Sequence, residues 1–511
     1  MNVVEMRSIY KHFGNFCANE NVDFTLREGE IHALLGENGA GKSTLMNILY
    51  GLYSCDSGTI SIMGEPVCID CPNVAITKGI GMVHQHFMLI PQLTVTQNIF
   101  LGMKSAGFVL NMKQLNERVR ELNDRFGFNV DPSALIWQIP VGVQQKVEIL
   151  KVLMRDARIL ILDEPSAVLT PNEVVELFAS LKKLTEQGYS IILITHKMSE
   201  VTNYADRVTV MRQGKMVNTL NVCDTTQNEL ARMMVGRDVC LDRQVEGESF
   251  GNPLLEVKDL VVKNNKGLNA VKGVSFEVRE GEILGIAGVD GNGQLELSEA
   301  VVGLRKTESG EIFISGERAA NKSIRFLLDK GMAHIPDDRH KKGLVLKFPI
   351  KENIIMGMQR SKRYTKGIFL NRSSVEAHAQ ELVQEFDVRP ADIDYEAGGL
   401  SGGNQQKVIL AREVDRNPNI LVALQPTRGL DIGATEFVRS KLLEERTKKK
   451  AVLLVSTDLD EIVSLSDRIL VIHNGEFMGE VRHDTPATLI GLMMAGKTRE
   501  QAEAAGKECN A

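Results

Sequence analysis

The chain has 511 residues, 43% hydrophobic and 25% charged, enough for two large α/β domains or three smaller ones. A net charge of −6 excludes bulk electrostatic attraction to nucleic acid or anionic lipid. There is no apolar run of about 18 residues to read as a membrane span, and seven cysteines, an odd and sparse count, read as a reduced cytosolic chain.

In chain order, Met1-Asn2-Val3-Val4-Glu5-Met6-Arg7 lacks the apolar core of a signal peptide. Residues 1–35 read as short strands, with 22–26 alternating and Arg27-Glu28-Gly29-Glu30 a turn. Residues 30–35 read as a buried strand that runs into Gly36-Glu37-Asn38-Gly39-Ala40-Gly41-Lys42-Ser43-Thr44, a complete G-x-x-x-x-G-K-[ST] phosphate loop, with 44–49 a helix after it. The spacing has a mechanical cause. Gly36, Gly39 and Gly41 let the backbone wrap with its N–H groups turned inward. Lys42 supplies a point charge for the β- and γ-phosphates, Ser43 a hydroxyl for Mg²⁺, and the helix N-terminus favours an anion. Cys68-Ile69-Asp70-Cys71 has C-x-x-C spacing, but no second pair or His cluster completes a zinc site.

Residues 81–87 read as a strand ending at Gln85, and 87–150 as a helical insertion. Residues 138–148 read as a turn and a helix. Residues 159–165 form an apolar strand ending in Asp163 and Glu164, and 190–196 another ending in His196. Apolar strands alternating with helices argue for a mostly parallel sheet covered on both faces. Ligands then gather beyond the carboxyl ends of the strands, where Asp163, Glu164 and His196 join the phosphate loop.

The second half repeats the first. Val274-Ser275-Phe276-Glu277-Val278-Arg279-Glu280-Gly281-Glu282-Ile283 matches the strand and turn before the phosphate loop, and Gly288 follows Gly36 at an offset of 252 residues. A period that long implies duplicated domains. The expected organisation is a first domain over 1–235, a polar linker over 236–253, a second domain over 254–497 and a frayed Ala/Glu/Lys-rich tail over 498–511.

The phosphate loop, Gln85, Gly142-Val143-Gln144-Gln145, Asp163-Glu164-Pro165 and His196, in this order, resemble an ABC transporter ATPase domain, and the resemblance covers nearly the whole chain, twice. The resemblance implies two tandem domains, each with a mostly parallel sheet core, an antiparallel β part and a helical subdomain. It also implies ATP and Mg²⁺ as ligands, with Gly36, Glu37, Asn38, Gly39, Ala40, Gly41, Lys42, Ser43 and Thr44 around the phosphates and Phe13 stacking on adenine. Asp163, with Ser43 and Gln85, would hold Mg²⁺. Glu164 would polarise the attacking water, Gln85 would sense the γ-phosphate and the membrane subunit, and His196 would contact the γ-phosphate. A core role for Phe13 stays open beside the stacking one.

The second half keeps the apolar strands and loses the chemistry. Gln294 replaces Lys42, Leu295 replaces Ser43, Asp337 replaces Gln85, Leu424-Gln425 replaces Asp163-Glu164 and Thr457 replaces His196. The signature element is asymmetric the other way. Leu400-Ser401-Gly402-Gly403-Asn404-Gln405-Gln406-Lys407 is complete, whereas the first half has Ile139-Pro140-Val141-Gly142-Val143, with no hydroxyl and no N–H at Pro140. In the family such domains pair head to tail, each ATP lying between one phosphate loop and the opposite signature. The pairing implied here gives one competent site, made from the first loop with Ser401, Gly402, Gly403 and Gln405, and one dead site. The resemblance further implies transmembrane permease partners, an extracytoplasmic solute-binding protein acting indirectly, and a peripheral place on the cytoplasmic face of the membrane.

For the solute, residues 288–294, 338–344 and 425–431 look closer to the nucleoside type of simple-sugar and nucleoside importers, with sugar the alternative. Two rivals are weaker. A soluble ribosome-associated twin ATPase should keep both sites and a long charged linker, and a scaffold without hydrolysis is opposed by the complete first site.

Overall fold

The computed structural model describes the chain except residues 15, 86, 104–110, 167–168, 170, 237–249, 360, 367–368 and 509–511. The chain folds as two compact units, Met1–Val239 and Cys240–Ala511. The segment expected as a linker lies mostly outside the described residues, so only its ends are seen: Gly236 closes the helix Gln227–Val235, and Pro253 opens a strand.

In the first unit, Ile31–Gly36 is the pivot. All six residues are buried, because parallel neighbours flank it on both sides and helices cover both faces. The six-stranded sheet runs Lys215–Asn221, Arg207–Arg212, Ile31–Gly36, Ser190–Thr195, Ile159–Asp163, Ile80–Val83, parallel except for the first strand. A second, antiparallel sheet is built on the pair Asn2–Phe13 and Phe16–Arg27. These are long strands, where alternation suggested short ones. Bulges between Met6 and Ile9, with Ser8 and Asn21 at positive φ, break the period-two pattern without ending the pairing. The helical part comprises Val95–Phe100, Met112–Phe126 and Val141–Leu153, packed around Val119, Phe126 and Leu150.

The second unit repeats the sheet order, in matching register. Ile31 pairs with Ile191, and Ile283 with Val452; Asp163 pairs with Ile194, and Leu424 with Val455. The backbone N–H of Ile31 donates to Asp206 and that of Ile283 to Asp467. The buried ion pair Arg207–Glu30 at 3.0 Å recurs as Arg468–Glu282 at 3.1 Å. An unpaired buried charge is costly, so these pairs persist in both units as parts of the scaffold. A small hairpin, Thr365–Lys366 with Phe369–Leu370, belongs to the second unit.

The C-terminal stretch differs from expectation. Arg499–Glu508 is helical and buries Ala502, while Arg499 Nη1 donates to the Glu480 carbonyl at 3.0 Å. Ala502 gives this Glu/Lys-rich helix an apolar contact with the domain, which composition alone does not show. Among the described residues no helix is long and apolar enough to cross a membrane.

Candidate functional site: a phosphate loop beside two carboxylates

The loop closes onto the helix Lys42–Tyr50, with Gly41 as its N-cap at φ +94°. A Cβ on Gly41 would lie 2.4 Å from the Ala18 carbonyl oxygen, and Asn19 Nδ2 donates to the Gly41 carbonyl at 3.1 Å. A Cβ on Gly36 would lie 2.4 Å from the Met211 carbonyl oxygen. Both glycines are therefore demanded by close backbone approach, and Gly41 by torsion as well. Gly41→Ala is expected to destabilise the first unit by about 1–3 kcal/mol and to weaken ATP binding. Thermal unfolding with an ATP titration checks this; unchanged stability and affinity would contradict it.

Lys42 is buried within the loop, its Nζ donating to the carbonyls of Gly36 at 2.6 Å and Glu37 at 2.8 Å. Burial pushes its ammonium down, against the attraction of Glu164, Asp163 and Glu37. Burial and the neighbouring Glu164 push Asp163 up to about 6, against Lys42 and a hydrogen bond with Ser43. Burial would raise Glu164 too, but the hydrogen bond and charge of His196, with Lys42 and Lys197, hold it below the usual carboxylate range. His196 Nδ1 lies 2.7 Å from Glu164 Oε1, and Gln85 Nε2 donates to Glu164 Oε2 at 2.8 Å.

The fold thus brings Lys42, Ser43, Gln85, Asp163, Glu164 and His196 into one cluster at the carboxyl ends of the parallel strands, where open α/β sheets place their ligands. Glu164 sits at φ +47°, with its N–H bonded to the Ile194 carbonyl. Behind it, Glu200 is buried and bonds the hydroxyls of both Ser166 and Thr195, tying together the segments that carry Glu164 and His196. Phe13 is 44% exposed at the end of its strand, edge-on to Tyr53 with centroids 5.3 Å apart and with Lys11 Nζ 5.5 Å from its ring. It is a surface aromatic rather than a core one. Cys68 is exposed and Cys71 half-buried, both as free thiols.

In the second unit the same backbone holds side chains without the charged groups of the first. Gln294 Nε2 donates to the Val289 carbonyl at 3.0 Å, repeating the bond from Lys42 to Glu37 without its charge. Leu424 is buried in the apolar core and Leu295 packs against it. Gln425 keeps the positive φ of Glu164, at +49°, and its amide donates to Thr457 Oγ1 at 3.2 Å, an uncharged copy of the pair Glu164–His196.

The two signatures differ as their residues demand. Ser401 N-caps Gly402–Asp415, its Oγ accepting from the Asn404 N–H at 3.4 Å and from Asn404 Nδ2 at 2.9 Å. Pro140 stands at the N-cap of Val141–Leu153 and has no side-chain cap. Gln405 departs from the expectation that it faces nucleotide. It is buried, its Nε2 donating to the Ala397 carbonyl at 3.1 Å and its Oε1 lying 2.9 Å from His340 Nε2. The helix register turns it into the domain, so Ser401, Gly402 and Gly403 are the residues left at the helix start.

A wrapped glycine loop with a buried lysine, followed by a hydroxyl and two carboxylates at the end of a parallel strand, defines a phosphate-loop nucleoside triphosphatase. The family model described as ABC transporter matches residues 19–167 and 271–428, and the chain belongs to that family as an ATP-binding ATPase with two tandem domains. It is 50% identical over 502 residues to the guanosine import ATP-binding protein NupO of Bacillus subtilis, covering 98% of each chain. It is 48% identical over 496 residues to the nucleoside import ATP-binding protein NupA of Lactococcus lactis, covering 97% of this chain and 98% of that one. The glucose import ATP-binding protein TsgD13 of Haloferax volcanii is 46% identical over 525 residues, with 96% of each chain covered.

Proposed function

We propose that the protein energises nucleoside import through partner membrane permeases, hydrolysing ATP at a single composite site. The observation that carries this is the sorting of losses between the units. The first has the lysine, the hydroxyl, both carboxylates and the histidine beside a spoiled signature, and the second has the intact signature beside a spoiled loop. Head-to-tail pairing turns that pattern into one complete site and one empty of chemistry, whereas unpaired domains would leave neither complete.

In this reading the loop N–H groups and Lys42 bind the β- and γ-phosphates of ATP. Ser43 and Asp163 would hold Mg²⁺, with the amide oxygen of Gln85, whose Nε2 is committed to Glu164. They fit it: a carboxylate pushed up to about 6 by burial and a second carboxylate is stabilised by a divalent cation, and hydroxyl, carboxylate and amide oxygens are its preferred donors. When bound, Mg²⁺ neutralises phosphate charge as it develops. Glu164, held ionised by His196, accepts a hydrogen bond from water. The water oxygen then attacks the γ-phosphorus and gives up a proton to Glu164 while the bond to the β–γ bridging oxygen breaks, so that ADP and phosphate leave. His196 steadies both Glu164 and the γ-phosphate. Phe13, exposed and edge-on to Tyr53, stacks on adenine in this account.

Nucleoside is favoured over sugar by NupO and NupA at 50% and 48% identity and by the motifs at 288–294, 338–344 and 425–431. TsgD13, at 46%, keeps the sugar reading as the second one. The ATPase meets permeases and not solute, so the test is made on its partners. The copurifying permeases and solute-binding protein are isolated and titrated with guanosine, adenosine, ribose and glucose. Binding of nucleosides alone supports the proposal, and binding of sugars alone overturns it.

A further inference from the structure

Arg339 lies in the turn Arg339–Gly343, far in sequence from the signature yet folded against it. Its Nη2 is 2.8 Å from the point a Cβ on Gly402 would occupy and 3.6 Å from the same point on Gly429. Its Nη1 donates to the Arg428 carbonyl at 3.0 Å, which anchors the group. Its Nε is buried and has no hydrogen-bond partner. The adjacent Asp338 directs its carboxylate to the N–H groups of His340 and Lys341, and no carboxylate forms an ion pair with Arg339 among the described residues. A guanidinium is thus held, underused, at the start of a helix that already carries Ser401 and two glycines. By the alignment that puts Gln85 opposite Asp337, Phe87 stands in its place in the first unit, whose signature carries Pro140. At that aligned position the cation goes with the intact signature.

We infer that Arg339 binds the terminal phosphate of ATP together with Ser401, Gly402 and Gly403, supplying from the signature side a positive charge that the signature itself lacks. This rests on the composite-site reading proposed above. A planar guanidinium with unsatisfied donors suits a phosphate that is also held by helix N–H groups, and a charge-assisted bond of that kind strengthens as phosphate charge develops.

The test uses the full chain in its assembled transporter, with ATPase kinetics and binding of a non-hydrolysable ATP analogue. Arg339→Ala is expected to lower kcat/KM about tenfold or more while analogue binding to the first phosphate loop changes less than about twofold. Arg339→Gln, which keeps a neutral donor on a shorter side chain, should be as impaired, and Arg339→Lys should recover most of the activity. Lys341→Ala, at an exposed neighbouring cation, should be near normal. Full activity of Arg339→Gln would reduce Arg339 to a structural anchor and overturn the inference, as would equal loss from Lys341→Ala. Ser401→Arg separates the two levels. If it blocks hydrolysis while Arg339→Ala is fully active, the arginine inference alone fails. If Ser401→Arg is itself fully active, the composite site fails and the inference with it.

Discussion

Glu164→Gln is expected to lower ATP turnover by about 100-fold or more while ATP still binds, because one preorganised catalytic carboxylate is removed. The substitution is isosteric, so the unusual backbone at φ +47° and the bond from its N–H to the Ile194 carbonyl are untouched. The lost element is charge. His196, Lys42 and Lys197 together hold Glu164 ionised despite its burial, and a neutral amide cannot draw a proton from water. Gln425 shows that the fold accepts the change in the second unit: an amide at the same backbone conformation, paired with Thr457 rather than a histidine. Steady-state ATPase assays with an equilibrium ATP titration check this, and near-normal turnover would remove Glu164 from the reaction.

Ser401→Arg is expected to block hydrolysis almost completely, whereas Pro140→Arg should cost little. Both residues stand at the N-cap of the corresponding helix, so the same bulk and charge enter equivalent places. Only the Ser401 side is expected to meet a reacting phosphate, where an intruding side chain occupies the space the phosphate needs. Loss of the cap alone accounts for about 1 kcal/mol of stability, and Ser401→Ala measures that share separately. Equal damage from the arginines at 401 and 140 would contradict the asymmetry.

Much of this was legible in the sequence because the responsible residues are local. The phosphate loop is a contiguous backbone requirement, and the repeat shows as matching strands and turns whose registers the structure reproduces, as in Ile31 with Ile191 and Ile283 with Val452. The losses at Gln294, Leu424 and Thr457 could be read by alignment of the halves. What escaped depends on contacts distant in sequence or on helix register. Asn19 secures Gly41, and Glu200 ties Ser166 to Thr195, through side chains that carry no motif. Gln405 belongs to a motif, yet its helix turns it inward to Ala397 and His340. Arg339 lies in the stretch 338–344, which bears in sequence only on the solute, until the fold sets it beside Gly402. The long first strands were broken in the pattern by bulges, and the last helix was hidden by its polar composition.

One working ATP site per chain is expected. Leu295 and Leu424 offer a cation no oxygen, Gln294 offers the triphosphate no charge, and Mg²⁺ requires near-octahedral oxygen ligation. The decisive measurement is the number of ADP molecules trapped per chain by vanadate in the assembled transporter after a single turnover. One ADP per chain, unaffected by Gln294→Ala, is the predicted result; two ADP per chain, or loss of trapped ADP on Gln294→Ala, would contradict it.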